Sequence, residues 1–158
     1  MQEMMPHEID EMLSDSLIGR LCMADAAGRP YSVPLPFCWA DGAIYLRIGL
    51  SGRKGTVLAE NDQVCFEVDR FTDTLDEYSS VLVEGRLLAV DDLNEKTRIK
   101  TFNDQKYHRL RRGHRPGHGR ATPIAVLPMR KIVAERISGR KKDASPLVHD
   151  AGVQLMTA

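Results

Sequence analysis

The sequence predicts a mainly β protein, a six-stranded antiparallel barrel with a few α-helices, built as one domain over residues 1–158. Three observations predict this fold class. From Ile18 onward the apolar residues alternate or form short runs between turn signals, as they do in strands. Few connections are long enough for repeated right-handed crossovers, and no internal repeat of roughly 20 to 50 residues is present. We therefore expect an antiparallel barrel over about residues 18–137.

The expected elements follow in chain order. A short amphipathic helix over about residues 6–17 begins at Pro6, which suits the first turn of a helix. Asp41-Gly42 predicts a two-residue hairpin turn that pairs strands Tyr31–Trp39 and Ala43–Ile48 antiparallel. The remaining elements are strands Gln63–Asp69, Tyr78–Val90 and Ile124–Val133, a short helix Thr56–Glu60, and a helix Leu93–Tyr107 capped by Asp91 or Asp92. The tail, about residues 140–158, is expected to be loosely held.

Composition and charge narrow the class of protein. Of 158 residues, 42% are hydrophobic, and 22 Lys and Arg balance 22 Asp and Glu. No apolar run approaches the roughly 18 residues of a membrane-spanning helix, and the acidic start differs from a signal peptide, so we expect a cytoplasmic protein without membrane contact. Lys106–Arg120 carries six Lys or Arg and no acid, so the rest of the chain sums to minus six. This distribution argues against a nucleic-acid-binding protein.

The cysteines and histidines do not form a metal-binding pattern. Cys22, Cys38 and Cys65 are far apart and include no Cys-x-x-Cys pair, so they are expected to be small core residues. His114 and His118 have the spacing of metal ligands, but Pro116 and the surrounding glycines break the helix that would align the two rings. The sequence therefore predicts neither a metal site nor a disulfide framework.

The strand Tyr31–Trp39 contains Pro34 and Pro36, two residues apart. Its odd positions are all apolar and are expected to face the core. Both prolines lack an N–H on the same side of the strand, which removes consecutive donors and predicts an open edge. That edge is either a protected boundary of the sheet or a place where a flat ligand or a partner chain meets the backbone.

The turn before the short helix carries two cations, Arg53 and Lys54. Helix N-termini favour acidic side chains because the helix dipole is positive there, so the two cations are misplaced unless an anion lies beside them. Backbone N–H groups, a guanidinium and an ammonium together suit a phosphate group. The alternative is a solvated turn with both cations in water.

Several segments, taken together, carry a family resemblance. They are Gly28-Arg29-Pro30-Tyr31, Ser51-Gly52-Arg53-Lys54, Val64-Cys65-Phe66-Glu67-Val68 and Tyr78-Ser79-Ser80-Val81 followed by Glu84-Gly85-Arg86. In this order, over about residues 5–141, the chain resembles the pyridoxamine 5′-phosphate oxidase-like FMN-binding split-barrel superfamily, in the branch that includes the nitroimidazole-resistance proteins. The resemblance implies a homodimer of six-stranded split barrels with two FMN molecules in clefts between the protomers.

The resemblance also implies which residues bind the cofactor. The family's Arg-Lys pair that holds the FMN phosphate matches Arg53 and Lys54. The strand beside the isoalloxazine ring matches the segment Ser32, Val33, Pro34 and Leu35, and the end of the next strand matches Arg47 and Ile48. Ser80 matches the residue that reaches the ring from the strand before Glu84-Gly85.

Two departures limit what the resemblance implies. Many members of this branch have His where this chain has Arg47, so activities attributed to that His do not transfer. Arg47 either points into the cleft and favours the reduced flavin and an acidic substrate, or faces outward and pairs with an acid. The only Trp is Trp39, so the C-terminal Trp and Arg motif of true pyridoxamine phosphate oxidases is missing.

We therefore predict that the protein is a flavin-dependent oxidoreductase with FMN as cofactor, which acts on a small molecule but not on vitamin B6. No residue is assigned a catalytic role, because hydride transfer to or from a flavin needs no protein acid or base. The alternatives are a flavin carrier or sensor without turnover, and a barrel that binds haem or a deazaflavin. For the basic segment Lys106–Arg115 the first expectation is a solvated loop. The alternatives, in this order, are a lid over an anionic substrate and a polyanion site.

Overall fold

The computed structural model describes residues 1–111 and 122–143 of the chain. The strands are β1 (Gln2–Glu3), β2 (Ile18–Ala24), β3 (Pro30–Pro36), β4 (Cys38–Ala40), β5 (Ala43–Arg47), β6 (Gln63–Phe71), β7 (Tyr78–Ala89) and β8 (Met129–Lys142). The helices are α1 (Pro6–Asp15), α2 (Arg53–Glu60) and α3 (Leu93–Leu110), and one 3-10 turn covers Ile124–Val126. None of the helices in these ranges has the length and apolar character needed to cross a bilayer.

The strands form one antiparallel sheet in the order β3-β2-β6-β7-β8-β5-β4, with β1 added beside the end of β8. The long strands β7 and β8 pair over most of their length and contain a bulge at Glu84/Gly85, which increases the local twist. The mainly β, antiparallel split-barrel fold is thereby confirmed. The described strands number eight rather than the expected six, because one expected strand is split and a two-residue strand is added.

Two hydrophobic clusters lie on opposite faces of the curled sheet. The main core fills the concave face, where Phe37 and Phe66 meet edge to face at 5.0 Å between ring centroids. Helix α1 contributes Met12 and Leu13 to this core, and α2 contributes Val57 and Leu58. The smaller cluster lies between α3 and the outer face of β4, β5 and β8, and includes Cys38, Tyr45, Val90, Ile99, Leu127 and Met129. Helix α3 is therefore fixed against the outside of the barrel.

The turn and cap signals of the sequence act locally, as expected. Asp41 and Gly42 have φ of 52° and 70° and connect β4 to β5 as a two-residue hairpin. The Asp92 side chain accepts a hydrogen bond of 2.7 Å from the Glu95 N–H and caps α3. Both features depend on residues within one turn of each other, so the sequence alone predicts them.

The expected strand Tyr31–Trp39 is wrong as a continuous element. It breaks at Phe37 into β3, which pairs with β2, and β4, which pairs with β5. The Phe37 N–H donates to the Tyr107 hydroxyl at 3.2 Å, and the Phe37 carbonyl accepts from Lys106 Nζ at 3.0 Å. Side chains of α3 thus replace the strand ladder at the break.

The last described strand also differs from expectation at both of its ends. The last strand begins at Met129 rather than Ile124, because residues 124–126 form the 3-10 turn. Strand β8 continues through Lys142, so Arg140 and Lys141, placed in the tail by the sequence analysis, pair with β7. Residues 144–158, with the rest of the expected tail, lie outside the described residues.

Candidate functional site

Helix α2 begins with the two cations singled out in the sequence. Its N-cap is Gly52, whose φ of 73° suits glycine, and no side chain caps the helix start. Gly55 lies so close to the preceding turn that a Cβ there would be 1.8 Å from the Leu50 carbonyl oxygen. Glycines at both positions therefore bring the backbone amides of the first turn next to Arg53 and Lys54.

The charges at this helix start are uncompensated. Within residues 1–111 and 122–143, neither Arg53 nor Lys54 takes part in an ion pair, and the first turn of α2 holds no acid. Arg53 instead places its guanidinium carbon 4.5 Å from the centroid of the Tyr31 ring. Two cations beside N–H groups at the positive end of a helix can bind an anion such as a phosphate group.

Strand β3 provides the edge beside this anion site. It is the terminal strand of the sheet and pairs with β2, with Pro34 opposite Arg20. The expected open edge is therefore present in the described part of the chain. Ser32 and Pro34 are exposed on the outer side, while Val33 and Leu35 are half-buried and pack against the core. A ligand on this edge would meet the backbone and the small outer side chains.

The end of β5 places Arg47 and Ile48 on opposite faces. The Ile48 side chain is buried in the main core, and its N–H donates to the Pro128 carbonyl at 3.0 Å. Its own carbonyl accepts from Arg130 Nη1 at 2.9 Å, so both backbone polar groups of Ile48 already have partners within the chain. Arg47 is exposed on the α3 side, and within the described residues it makes no ion pair.

Arg47 borders a cavity of about 400 Å³ between β5 and α3, here called the Arg47 cavity. Its wall runs from the end of β3 across β4 and β5 to one face of α3. The lining side chains are Pro36, Phe37, Cys38, Tyr45, Leu46, Arg47, Ile99, Lys100, Asn103, Asp104, Tyr107, Arg111 and Met129. The contribution of α3 was not predicted from the sequence, although Lys100, Asn103 and Tyr107 recur with helical spacing.

The cavity is cationic at its rim. Lys100 Nζ lies 2.6 Å from the Asp104 carboxylate, so this pair compensates itself. Arg111 makes no ion pair among the described residues, and the adjoining residues 112–121 contain no Asp or Glu. Arg47 and Arg111 together leave the cavity with uncompensated positive charge.

Lys106 is the most unusual charged residue near the site. It belongs to α3 and is 5% exposed, so the expectation of a solvated loop is wrong for this residue. Its ammonium donates to the Phe37 carbonyl and lies 4.0 Å from the centroid of the Phe37 ring. Burial lowers the pKa of Lys106 to about 8, because desolvation disfavours its charged form. Residues 112–120 of the same basic segment, with His114 and His118, lie outside the described residues.

Ser80 lies on the same outer face but far from the other predicted residues. It is in β7, opposite Asp69 of β6, and Asp69 forms an ion pair with Arg20 of β2. Pro34 is in register with Leu82 of β7 through Arg20 and Glu67, and Ser80 lies two residues further along β7. Since neighbouring strands are about 4.8 Å apart, the three strand steps from β3 to β7 alone amount to roughly 14 Å along the sheet. One chain therefore brings Arg53, Lys54 and the β3 edge together, and leaves Ser80 outside that cluster.

The three cysteines were expected to be small core residues, and only one of them is fully buried. Cys38 is buried under α3, and burial raises the pKa of its thiol to about 11. Cys22 and Cys65 are half-buried and lie directly opposite each other on β2 and β6. All three are free thiols, and the described residues contain no cluster of side chains that could hold a metal ion.

The comparisons with known proteins agree with this fold. The model of the family described as pyridoxamine 5′-phosphate oxidase matches residues 6–141. The chain therefore belongs to the pyridoxamine 5′-phosphate oxidase family. A search of curated proteins found no match.

Solved structures show the same architecture. A FAD-binding protein from Mesorhizobium loti superimposes with a TM-score of 0.65 at 25% identity, over 89% of this chain and 96% of that one. A putative 5-nitroimidazole antibiotic resistance protein from Bacteroides thetaiotaomicron gives 0.68 at 19% identity, over 89% and 86%. A protein described as an F420 reductase gives 0.60 at 17% identity, over 85% and 98%.

Proposed function

We propose that this protein binds FMN and acts as a flavin-dependent oxidoreductase on a small molecule. The observation that carries the proposal is the pair Arg53 and Lys54 at the start of α2, with no acid partner among the described residues. Membership of the pyridoxamine 5′-phosphate oxidase family and the likeness to a FAD-binding protein support it.

The residues present fit a flavin mononucleotide in charge and in shape. A phosphate group needs cations and amide donors, which the start of α2 offers. The flat ring needs an accessible edge without bulky side chains, which Ser32 and Pro34 on the terminal strand β3 offer. Arg53 packs over Tyr31, one residue before Ser32, so the phosphate site and the edge are adjacent.

In this proposal the chain binds and orients the cofactor. Bound FMN would supply the hydride and electron chemistry. Arg53 and Lys54 hold the phosphate, the β3 edge restricts the position of the ring, and Arg47 adds a permanent positive charge at the end of β5.

An FMN titration tests the cofactor assignment. Charge-assisted hydrogen bonds contribute roughly 1.5 to 3 kcal/mol each, so Arg53→Ala with Lys54→Ala is expected to weaken FMN binding at least about a hundredfold. The matched control is Arg86→Ala with Arg98→Ala, which removes two surface arginines that pair with Asp62 and Asp41. An equal affinity for FMN in the wild type and both double variants would refute the phosphate site.

The absorption spectrum of the purified protein separates the cofactor alternatives. FMN, a deazaflavin and haem have distinct visible bands, so one spectrum and a mass of the released cofactor identify what is bound. Turnover is tested with FMN-loaded protein. In an oxidoreductase, a small-molecule acceptor reoxidises the protein-bound reduced FMN faster than it reoxidises free reduced FMN. A carrier or sensor shows no such acceleration.

We also propose that the active unit is a homodimer. The outer face of β7 and β8 exposes Leu82, Leu88 and Val133 by 38%, 42% and 45%. Val133 lies opposite Arg86, between the two leucines along β7. A second copy of the chain would cover this apolar face and bring Ser80, which is remote from Arg53 within one chain, toward a site shared by both protomers.

A further inference from the structure

We propose that the Arg47 cavity binds a small planar molecule bearing a carboxylate, with Arg47 and Arg111 as the residues that hold the carboxylate. This inference rests on the proposed function, since it assigns a substrate class to the proposed oxidoreductase. It concerns residues of α3, which are not part of the proposed FMN site.

The charges at the rim select an anion. Arg47 from β5 and Arg111, the residue that follows α3, both line the cavity, and neither has an acidic partner in the described part of the chain. Asp104, the one acid among the described lining residues, is already paired with Lys100. A guanidinium presents two parallel N–H groups that match the two oxygens of a carboxylate.

The wall below the rim selects a flat apolar body. Phe37, Ile99 and Met129 are buried in the cavity wall, and Cys38 and Tyr45 join the same hydrophobic surface. The Tyr45 hydroxyl donates to Glu95 at 2.7 Å, so this polar group of the wall already has a partner. A volume of about 400 Å³ lies in the range of small-molecule pockets.

Hydrogen bonds from α3 support the wall of the cavity. The Tyr107 hydroxyl donates to the Leu17 carbonyl at 2.7 Å and accepts from the Phe37 N–H, while Lys106 donates to the Phe37 carbonyl. These bonds fix α3 against the break between β3 and β4. The last turns of α3, which lead into Arg111, are therefore held against this break, as a binding site requires.

The cavity also adjoins the edge proposed for the flavin ring. Pro36, the last residue of β3, belongs to its lining, and Arg47 continues directly from Leu46 at the end of β5. A carboxylate held at the rim would place the attached ring between α3 and the β3 edge. Substrate and cofactor would then meet at the end of β3.

The test compares benzoate with benzamide, which have the same shape and differ in charge. Both are titrated into FMN-loaded full-length protein, and binding is followed by calorimetry and by the change in flavin absorbance. Benzoate is expected to bind at least tenfold more tightly than benzamide. Arg47→Gln and Arg111→Gln are each expected to weaken benzoate binding about tenfold or more, and to leave benzamide binding within twofold, because each removes a charge-assisted contact.

Arg109→Gln is the matched control, since Arg109 lies on the same helix, pairs with Asp15 and does not line the cavity. Its benzoate affinity is expected to stay within twofold of the wild type. Equal binding of benzoate and benzamide, or equal loss of benzoate affinity in all three variants, overturns the proposal. The proposed function fails separately, if the protein takes up no FMN. Benzoate and benzamide are then titrated by calorimetry into the full-length protein without FMN, and the same difference between them is expected.

Discussion

The guanidinium of Arg53 lies over the ring of Tyr31, with 4.5 Å between its central carbon and the ring centroid. This contact joins the first residue of α2 to the second residue of β3, two elements that the phosphate and ring ends of the proposed cofactor would meet. Tyr31 is half-buried and packs against the main core, so its ring has a defined position. The contact therefore holds the Arg53 side chain at the anion site before any ligand binds.

Tyr31→Leu is expected to weaken FMN binding about two- to fivefold, because a cation–π contact at a partly exposed site contributes roughly 0.5 to 1 kcal/mol. Tyr31→Phe keeps the ring and is expected to stay within twofold of the wild type. Fluorescence titration with FMN measures all three proteins. Equal losses in the Leu and Phe variants would show that the hydroxyl, not the ring face, matters.

Gly55→Ala is expected to damage the anion site through the backbone. The new Cβ would lie 1.8 Å from the Leu50 carbonyl oxygen, so the turn before α2 must move. We expect a loss of roughly 1 to 3 kcal/mol in the free energy of unfolding and weaker FMN binding. Gly49→Ala is the control, because nothing lies within 4 Å of its added Cβ. Urea unfolding and FMN titration of both variants check this, and matching results for the two would contradict it.

Arg47→Gln is expected to lower the midpoint potential of the bound flavin. A permanent cation near the ring stabilises the anionic reduced form, and a loss of about 1.4 kcal/mol corresponds to about 30 mV for a two-electron couple. Spectroelectrochemical titration in one buffer compares the variant with the wild type and with Arg109→Gln. Potentials within about 5 mV of each other, well below that shift, would exclude a redox role for Arg47.

Lys106→Met is expected to remove one pH-dependent contribution to stability. Burial lowers the pKa of Lys106 from an ordinary value near 10.5 to about 8. Between these two values the unfolded chain keeps a proton that the folded chain has lost, so this lysine makes the free energy of unfolding rise with pH. The slope is at most about 1.4 kcal/mol per pH unit.

Urea unfolding at several pH values from 7 to 10.5 measures this contribution as the difference between wild type and Lys106→Met. Both proteins carry the same cysteines and tyrosines, so those groups largely cancel in the difference. The difference is expected to rise above pH 8. A flat difference curve would show that the Phe37 carbonyl and ring keep the ammonium charged over the whole range.

Leu82→Lys with Val133→Lys is expected to convert a dimer into a monomer, because the two lysines would be buried without partners when the apolar face of β7 and β8 is covered. Flavin should be released together with the loss of the dimer, as it should on dilution of the wild type. Analytical ultracentrifugation follows both. Phe102→Lys is the control, since Phe102 is also exposed, by 49%, but lies on α3. A wild-type protein that is monomeric at high concentration with FMN bound in equal amounts would contradict the homodimer.

Local features of the fold could be predicted from the sequence. The Asp41-Gly42 hairpin, the Asp92 cap and a short helix behind two cations each depend on residues a few positions apart, whose conformational preferences are intrinsic. The helix begins at Arg53, however, and not at the expected Thr56. The open edge at β3 also follows from the sequence, because a proline lacks its N–H in any context. These features include the cations proposed to bind the cofactor phosphate.

Features that join distant segments were decided only by the tertiary structure. The break between β3 and β4 depends on Tyr107, 70 residues after Phe37, whose hydroxyl accepts the N–H that a strand neighbour would otherwise bind. Lys106 looked like part of a solvated basic segment, and is buried because the Phe37 carbonyl and ring receive its ammonium. The Arg47 cavity exists because α3 packs on the outer face of β5. No pattern in a single segment specifies such contacts, since each side chain gains its environment only when both segments are folded.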